Sequence, residues 1–242
     1  MGYKPKDFDI ATNATPEQVR SIFKRSRIIG RRFKLVHVIY GREIIEVSTF
    51  RSKPRQKIQM ANGVLKDNEY GSIEEDAERR DFTINALYYN VEDKNLIDFY
   101  GGLKDIQKNQ LRLIGKPKLR YQEDPIRMLR AIRFAAKLKM EINGETLKEI
   151  KNSIGLLKSV PYSRLFDEIM KFFLTGYAQQ GMVLFKKYNL SNIYMPSLDN
   201  TNKIYNNFLL QGLKNTDLRI KNNQSVNPGF LLAVFLWHDV YE

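Results

Sequence analysis

The apolar pattern of this chain changes period once, around Asp98-Phe99-Tyr100-Gly101-Gly102-Leu103-Lys104-Asp105, and that change divides what it can build. Before it, Lys34 to Phe50 is rich in Val, Ile, Tyr and Phe and is broken by Gly41-Arg42-Glu43, the pattern of two strands joined as a hairpin. Thr15-Pro16-Glu17-Gln18-Val19 supplies a cap residue and a proline at the first helical position, and Val19, Ile22 and Phe23 follow at helical spacing, so a helix starts there. After the glycine pair the pattern is helical. Asp124 as cap, Pro125 at the first helical position and the series Leu129, Ile132, Ala136 and Met140 predict one amphipathic helix, closed near Asn143-Gly144. Thr146 to Lys158, Tyr162 to Leu174 and Gly181 to Leu190 predict further helices, Phe230 to Trp237 a buried one, and Asn215 to Asn227 a polar loop. The class is therefore α+β, with a sheet-bearing head over residues 1–110 and helical parts over 111–180 and 181–242.

Charge narrows the function. Lys and Arg number 40 against 27 Asp and Glu, a formal net charge of +13, which favours a polyanionic partner and salt-sensitive association. The excess is spread along the chain and not gathered in one polybasic stretch, which points to nucleic acid rather than an anionic membrane surface. With no cysteine there is neither a disulfide framework nor a zinc–thiolate site, and the two histidines, His37 and His238, lie too far apart in sequence for a His-rich metal site. The longest apolar run, Phe230 to Trp237, is too short to span a bilayer, and no apolar segment opens the chain, so a cytoplasmic protein is expected.

Arg79-Arg80-Asp81-Phe82-Thr83-Ile84-Asn85-Ala86-Leu87-Tyr88-Tyr89 carries a paired guanidinium, a carboxylate and an amide straight into an apolar run. Two arginines can grip phosphate oxygens bidentately while Asp81 and Asn85 hydrogen-bond ribose hydroxyls, the grammar of a nucleotide pocket. Asp7-Phe8-Asp9 adds a possible metal pair, because side chains alternate along a strand and both carboxylates then share a face with Phe8 turned to the core. Two basic surfaces accompany these groups. Arg51, Lys53, Arg55 and Lys57 stand around a proline in what reads as a mobile loop from Arg51 to Asn62. Arg130, Arg133 and Lys137 project within roughly 60° of one another on the helix that starts near Asp124 and Arg127.

Three blocks in order, Lys6-Asp7-Phe8-Asp9-Ile10-Ala11-Thr12, Arg79 to Tyr89 and Arg120 to Ala136, resemble the tRNA nucleotidyltransferase/poly(A) polymerase family, the class II members of the polymerase-β-like nucleotidyltransferases. The resemblance covers roughly the first 180 residues. The connecting text, Gly30 to Val38, Gly71 to Asp76 and Leu165 to Glu168, is closer to the bacterial poly(A) polymerase branch than to the CCA-adding branch. The resemblance implies a polymerase-β-like head with a mixed sheet, followed by an all-α neck and body, that adds AMP from ATP to RNA 3′ ends without a template. It implies two Mg²⁺ ions held by Asp7 and Asp9. It favours Asp81 as the third functional acid, or alternatively a ribose contact, while Glu46 on the second hairpin strand is the geometric candidate. It assigns base selection to Glu123, Asp124 and Arg127, a carboxylate–guanidinium set that reads the amine-bearing edge of adenine or cytosine. CCA addition to tRNA is therefore the alternative activity. The family's Gly-Gly-x-Val-Arg-Asp phosphate-binding element precedes the segment matching Gly2 to Asp7 and is absent from this sequence, which keeps a non-catalytic RNA-binding fragment as a further alternative.

Overall fold

In the computed structural model, residues 8–30, 33–52, 60–61, 64–65, 69–191 and 203–241 are described. Thr15 caps helix α1 (Pro16–Ile22) as its sequence predicts: its side chain accepts from the Gln18 amide, Gln18 reaches back to the Thr15 amide, and Pro16 opens the helix. Strands β1 (Asp9–Thr12), β2 (Ser26–Ile29), β3 (Leu35–Tyr40) and β4 (Glu43–Thr49) form one sheet in the order β1-β4-β3-β2. The hairpin β3–β4 turns on Gly41, whose φ of +61° favours glycine. β1 runs parallel to β4 and the other pairings are antiparallel. Alternation along β3 and β4 sends Val36, Val38 and Val47 to one face, where they pack with Val19 of α1 as a small core.

The chain divides into two compact units, one of residues 1–80 and 86–99, the other of residues 81–85 and 100–242. In the first, α2 (Ile73–Arg79) is capped by Ser72 in a reciprocal box with Glu75, and the short hairpin of β7 (Leu87–Tyr89) and β8 (Leu96–Asp98) follows. Strands β5 (Met60–Ala61) and β6 (Val64–Leu65) pair with each other.

The second unit is helical: α3 (Gly102–Gln107), α4 (Pro117–Glu123), α5 (Ile126–Leu138), α6 (Gly144–Ser153), α7 (Tyr162–Phe173), α8 (Ala178–Lys187), α9 (Lys203–Lys221) and α10 (Pro228–Tyr241), with a small parallel pair, β9 (Gln110–Leu111) and β10 (Glu141–Ile142). One continuous apolar core runs through it from Phe82 and Leu111 to Phe235, with α5 burying Met128, Leu129, Ala131 and Ile132 almost completely. The excursion 81–85 belongs to this unit because Phe82 bridges Leu113, Thr83 donates its amide to the Arg112 carbonyl, and the fully buried Phe82 ring meets Phe134 edge-on. Thr83 Oγ1 and Arg112 Nε converge on the buried carboxylate of Asp105 at 2.6 and 2.9 Å.

Several sequence expectations are corrected. Phe8 is 70% exposed rather than turned to the core. Asp124 does not cap α5: it closes α4, Pro125 precedes α5, and the Asp124 carboxylate accepts from Arg164 instead. Helix α5 ends at Leu138, where Lys139 takes a left-handed φ of +55°, while Asn143 caps α6 by accepting from the Glu145 amide. Residues 215–221, expected in a loop, continue α9: Gly212, Leu213 and Thr216 are buried on its inner face, and polar composition marks only its outer side. Helix α10 buries Leu231, Val234 and Phe235 but leaves Phe230, Leu236 and Trp237 half-exposed, so it is buried on one face only. Arg51 bridges Tyr70, donates its amide to Asp76 and lays its guanidinium 4.8 Å from the Phe33 ring centroid. Lys53, Arg55 and Lys57 lie outside the described residues. Among the described residues no helix is long and apolar enough to cross a membrane.

Candidate active site

The sheet face opposite the valines carries a transverse polar row. Asp9 on β1 is in register with Glu46 on β4, Glu46 with His37 on β3, and His37 with Arg27 on β2. Neighbours in register share a face, so period-two alternation assembles this row from four strands that the core residues fix. His37 Nε2 stands 3.2 Å from Glu46 Oε1. Asp7 lies outside the described residues, and among the described residues no group of three or more acids, histidines or cysteines gathers to hold a metal ion. The donor set that Asp9 and Glu46 offer is all carboxylate oxygen, the chemistry a hard divalent cation requires.

Arg79 and Arg80 end α2 and both lean on Asp76, one turn earlier. Arg79 Nε reaches Asp76 Oδ1 at 3.0 Å, and Arg80 Nε and Nη2 reach Oδ2 at 3.3 and 3.2 Å. Tyr88 donates its hydroxyl to the same Oδ2 at 2.7 Å. Burial works to raise the Asp76 pKa, but the hydrogen bonds from Tyr88 and Arg79 and the two guanidinium charges outweigh it and hold the carboxyl below its ordinary value. Burial and the Asp76 carboxylate together push the Tyr88 phenol up, so it stays a donor.

In the second unit a chain of alternating charges runs from α4 to α5. Asp81, only 11% exposed in its side chain, accepts from Arg127 Nε at 3.2 Å and pairs with Arg130 Nη2 at 2.8 Å. Arg127 Nη1 also donates to Glu123 Oε2 at 3.1 Å and to the Arg120 carbonyl at 2.8 Å, and Arg120 Nη1 donates to the same Glu123 oxygen at 2.8 Å. Burial, then the nearby Arg127 charge, pushes the Arg120 pKa down, which Glu123 only partly offsets. Asp124 stands beside this chain rather than in it. Arg164 Nη2, from α7, reaches both its carboxylate oxygens at 3.2 and 3.0 Å. Arg127 therefore pairs with Asp81 and Glu123, and Asp124, grouped with it by the resemblance, pairs with Arg164. Asn85 ends a short 3₁₀ turn over Thr83–Asn85 in the same unit.

The basic stripe on α5 is partly occupied. Arg133 Nε donates to the buried Glu168 at 2.6 Å and Arg130 is engaged with Asp81, whereas Lys137 is exposed. Sequence reading missed Asp76, Arg120, Arg164 and Glu168. Asp76 and Glu168 are internal ends of the short acidic runs Glu74-Glu75-Asp76 and Asp167-Glu168. Their one legible signal is helical phase, which places each on the inner side of its helix.

A sheet-bearing unit whose polar row carries Asp9 and Glu46 is thus followed by a helical unit with an Asp–Arg–Glu chain, the arrangement the sequence resemblance leads one to expect. Comparison with known proteins narrows this. The family described as Poly A polymerase head domain matches residues 1–112, and that described as Probable RNA and SrmB-binding site of polymerase A matches residues 139–201. Poly(A) polymerase I of Escherichia coli O157:H7 is 48% identical over 255 aligned positions, covering 100% of this chain and 55% of that protein. The CCA-adding enzyme of Lactobacillus helveticus is 34% identical over 186 positions, covering 76% of this chain and 46% of that protein. Among solved structures, the Bacillus stearothermophilus CCA-adding enzyme in complex with CTP superposes with a TM-score of 0.70 at 29% identity, covering 89% of this chain and 49% of that one. The chain belongs to the tRNA nucleotidyltransferase/poly(A) polymerase family. It spans about half the length of the curated relatives it matches.

Proposed function

We propose that this chain is the nucleotide-adding part of a cytoplasmic poly(A) polymerase, which extends RNA 3′ ends with AMP from ATP without a template. The observation that carries the reading is coverage. The sequence likeness to a poly(A) polymerase I extends over 100% of the chain at 48% identity, while that to the Lactobacillus helveticus CCA-adding enzyme extends over 76% of it at 34%. In the reaction the RNA 3′ oxygen bonds to the α-phosphorus of ATP, the bond from that phosphorus to the β-phosphate oxygen breaks, pyrophosphate leaves and the hydroxyl proton goes to solvent or a nearby base.

Asp9, with Asp7 two positions earlier and Glu46 in register beside it, would hold divalent cations of the Mg²⁺ type. Such cations neutralise triphosphate charge and activate the attacking hydroxyl. The register favours Glu46 over Asp81 as the third acid of that set, since the Asp81 carboxylate is engaged by two arginines. Asp81 and Asn85 suit the ribose, Arg79 and Arg80 suit phosphates, and Glu123, Asp124 and Arg127 suit the edge of adenine. Arg51, Lys53, Arg55, Lys57 and Lys137 suit the RNA backbone, whereas Arg130 and Arg133, expected there too, are engaged by Asp81 and Glu168.

CCA addition is the second reading, favoured by the likeness to a CCA-adding enzyme solved with CTP. The test is incorporation by the full-length protein on a short RNA primer with Mg²⁺ and each nucleoside triphosphate in turn. Long tails made from ATP alone support the proposal. A limited addition that needs CTP as well supports CCA addition, and RNA binding without any incorporation leaves the binding-fragment reading.

A further inference from the structure

We propose that Asp76 is a positioning residue for nucleotide binding: its single buried carboxylate fixes Arg79, Arg80 and Tyr88 at the root of the Asp81–Asn85 excursion. The inference rests on the nucleotidyl-transfer reading and deepens it. Asp76 is 4% exposed, and an ionised carboxylate at that depth is costly unless its oxygens are satisfied. Here they are, by donors from three elements. Oδ1 accepts from Arg79 Nε at 3.0 Å and from the Arg51 amide at 3.2 Å. Oδ2 accepts from Arg80 Nε and Nη2 at 3.3 and 3.2 Å and from the Tyr88 hydroxyl at 2.7 Å. Arg80 Nε also reaches Tyr88 Oη at 3.0 Å, and its guanidinium carbon lies 5.0 Å from the Tyr88 ring centroid.

The sequence positions of these partners give the arrangement its meaning. Arg80 is the last residue before the chain leaves the first unit, and Tyr88 stands just after it returns at Ala86. One carboxylate thus ties the two ends of the excursion that carries Asp81 and Asn85. It also holds both arginines through their Nε side, which sets the plane of each guanidinium, and a planar fork recognises phosphate oxygens only when that plane is set. A purely structural clamp would share these bonds but not the consequence for nucleotide affinity.

The experiment uses the full-length protein and two variants, Asp76→Asn and Tyr88→Phe. The first keeps the volume but sets an amide against a guanidinium, and the second removes one hydroxyl while keeping the ring. Affinity for ATP alone is read by displacement of a fluorescent ATP analogue, with KM for ATP, kcat, affinity for a short RNA and melting temperature measured alongside. In Tyr88→Phe, and more strongly in Asp76→Asn, ATP affinity should fall about three- to tenfold and KM should rise in step. RNA affinity should hold, and kcat should fall less than KM rises. Unchanged ATP affinity in Tyr88→Phe and in a folded Asp76→Asn overturns the positioning role. So does a Tyr88→Phe protein that loses ATP and RNA affinity in proportion to its folded fraction, which is the mark of a structural clamp. A wild-type protein that binds no ATP overturns the nucleotidyl-transfer reading itself, and this inference with it.

Discussion

Arg127 donates its Nε to Asp81 across 3.2 Å although 46 positions separate them, and their side chains are only 13% and 11% exposed. Asp81 belongs to the excursion 81–85 and Arg127 to the first turn of α5, so this pair joins two of the three blocks that mark the family. The same guanidinium reaches Glu123, so Arg127 links Asp81 to one of the residues proposed above to read the base.

Arg127→Ala should therefore relax nucleotide choice more than it slows total incorporation. It leaves Asp81 with Arg130 and Glu123 with Arg120, so each carboxylate keeps one partner and the stability loss should stay within about 1–3 kcal/mol. Competitive incorporation of ATP, CTP, GTP and UTP, beside a melting curve, checks both parts. Unchanged discrimination would reduce Arg127 to a structural ion pair.

Asp9→Asn should abolish metal-dependent transfer while sparing the fold, because Asp9 is an exposed carboxylate at the start of an edge strand. Glu46→Gln and Asp81→Asn separate the two candidates for the third acid. If Glu46 completes the metal set, Glu46→Gln weakens Mn²⁺ binding, measured calorimetrically, and Asp81→Asn leaves it intact. The reverse outcome returns the role to Asp81.

What the sequence made legible was local. The Thr15 cap and Pro16, the glycine turn at Gly41 and the alternation along residues 34–50 each depend on residues within a few positions, and each is found where the pattern put it. The chemistry-bearing residues were legible as types but not as pairs. Nothing near Arg127 in sequence announces Asp81, and the nearer Asp124 is taken by Arg164, 40 positions on. The same limit explains residues 215–221. Their polar side chains cover the outer side of α9, and only tertiary burial of Leu213 and Thr216 shows the segment to be helix.

Asp76 sets a dependence on pH. Its folded pKa is held below the unfolded carboxylate value of about 3.9, so its contribution to stability is fully present above that value. That contribution is lost as pH falls through the lower, folded pKa. The stability difference between wild type and Asp76→Asn should accordingly be constant near neutrality and shrink as pH drops below about 4. Urea midpoints from pH 7 down to pH 3 follow it, and a gap that grows on acidification would contradict the shift.

Helix α5 carries two kinds of cation that look alike in the sequence. Arg133 donates to Glu168 at 2.6 Å with side-chain exposures of 13% and 9%, whereas Lys137, one turn on, is exposed. Removing Arg133 leaves a buried carboxylate without its partner, a change that costs about 3–5 kcal/mol in comparable buried pairs. Lys137→Ala removes a solvated charge and should leave stability within about 0.5 kcal/mol. Their effects on RNA should be opposite in kind. If Lys137 meets a phosphate, its loss lowers the slope of log affinity against log salt by roughly 0.7 for a single strand and weakens binding uniformly across sequences. Arg133→Ala should melt earlier, yet change the salt slope little in the protein that remains folded, because its charge is already neutralised by Glu168. Isotherms for a short single-stranded RNA at several salt concentrations, paired with melting curves, read both quantities. A slope loss of roughly 0.7 in Arg133→Ala with no loss of stability would show that the guanidinium serves RNA and that Glu168 is not its resting partner.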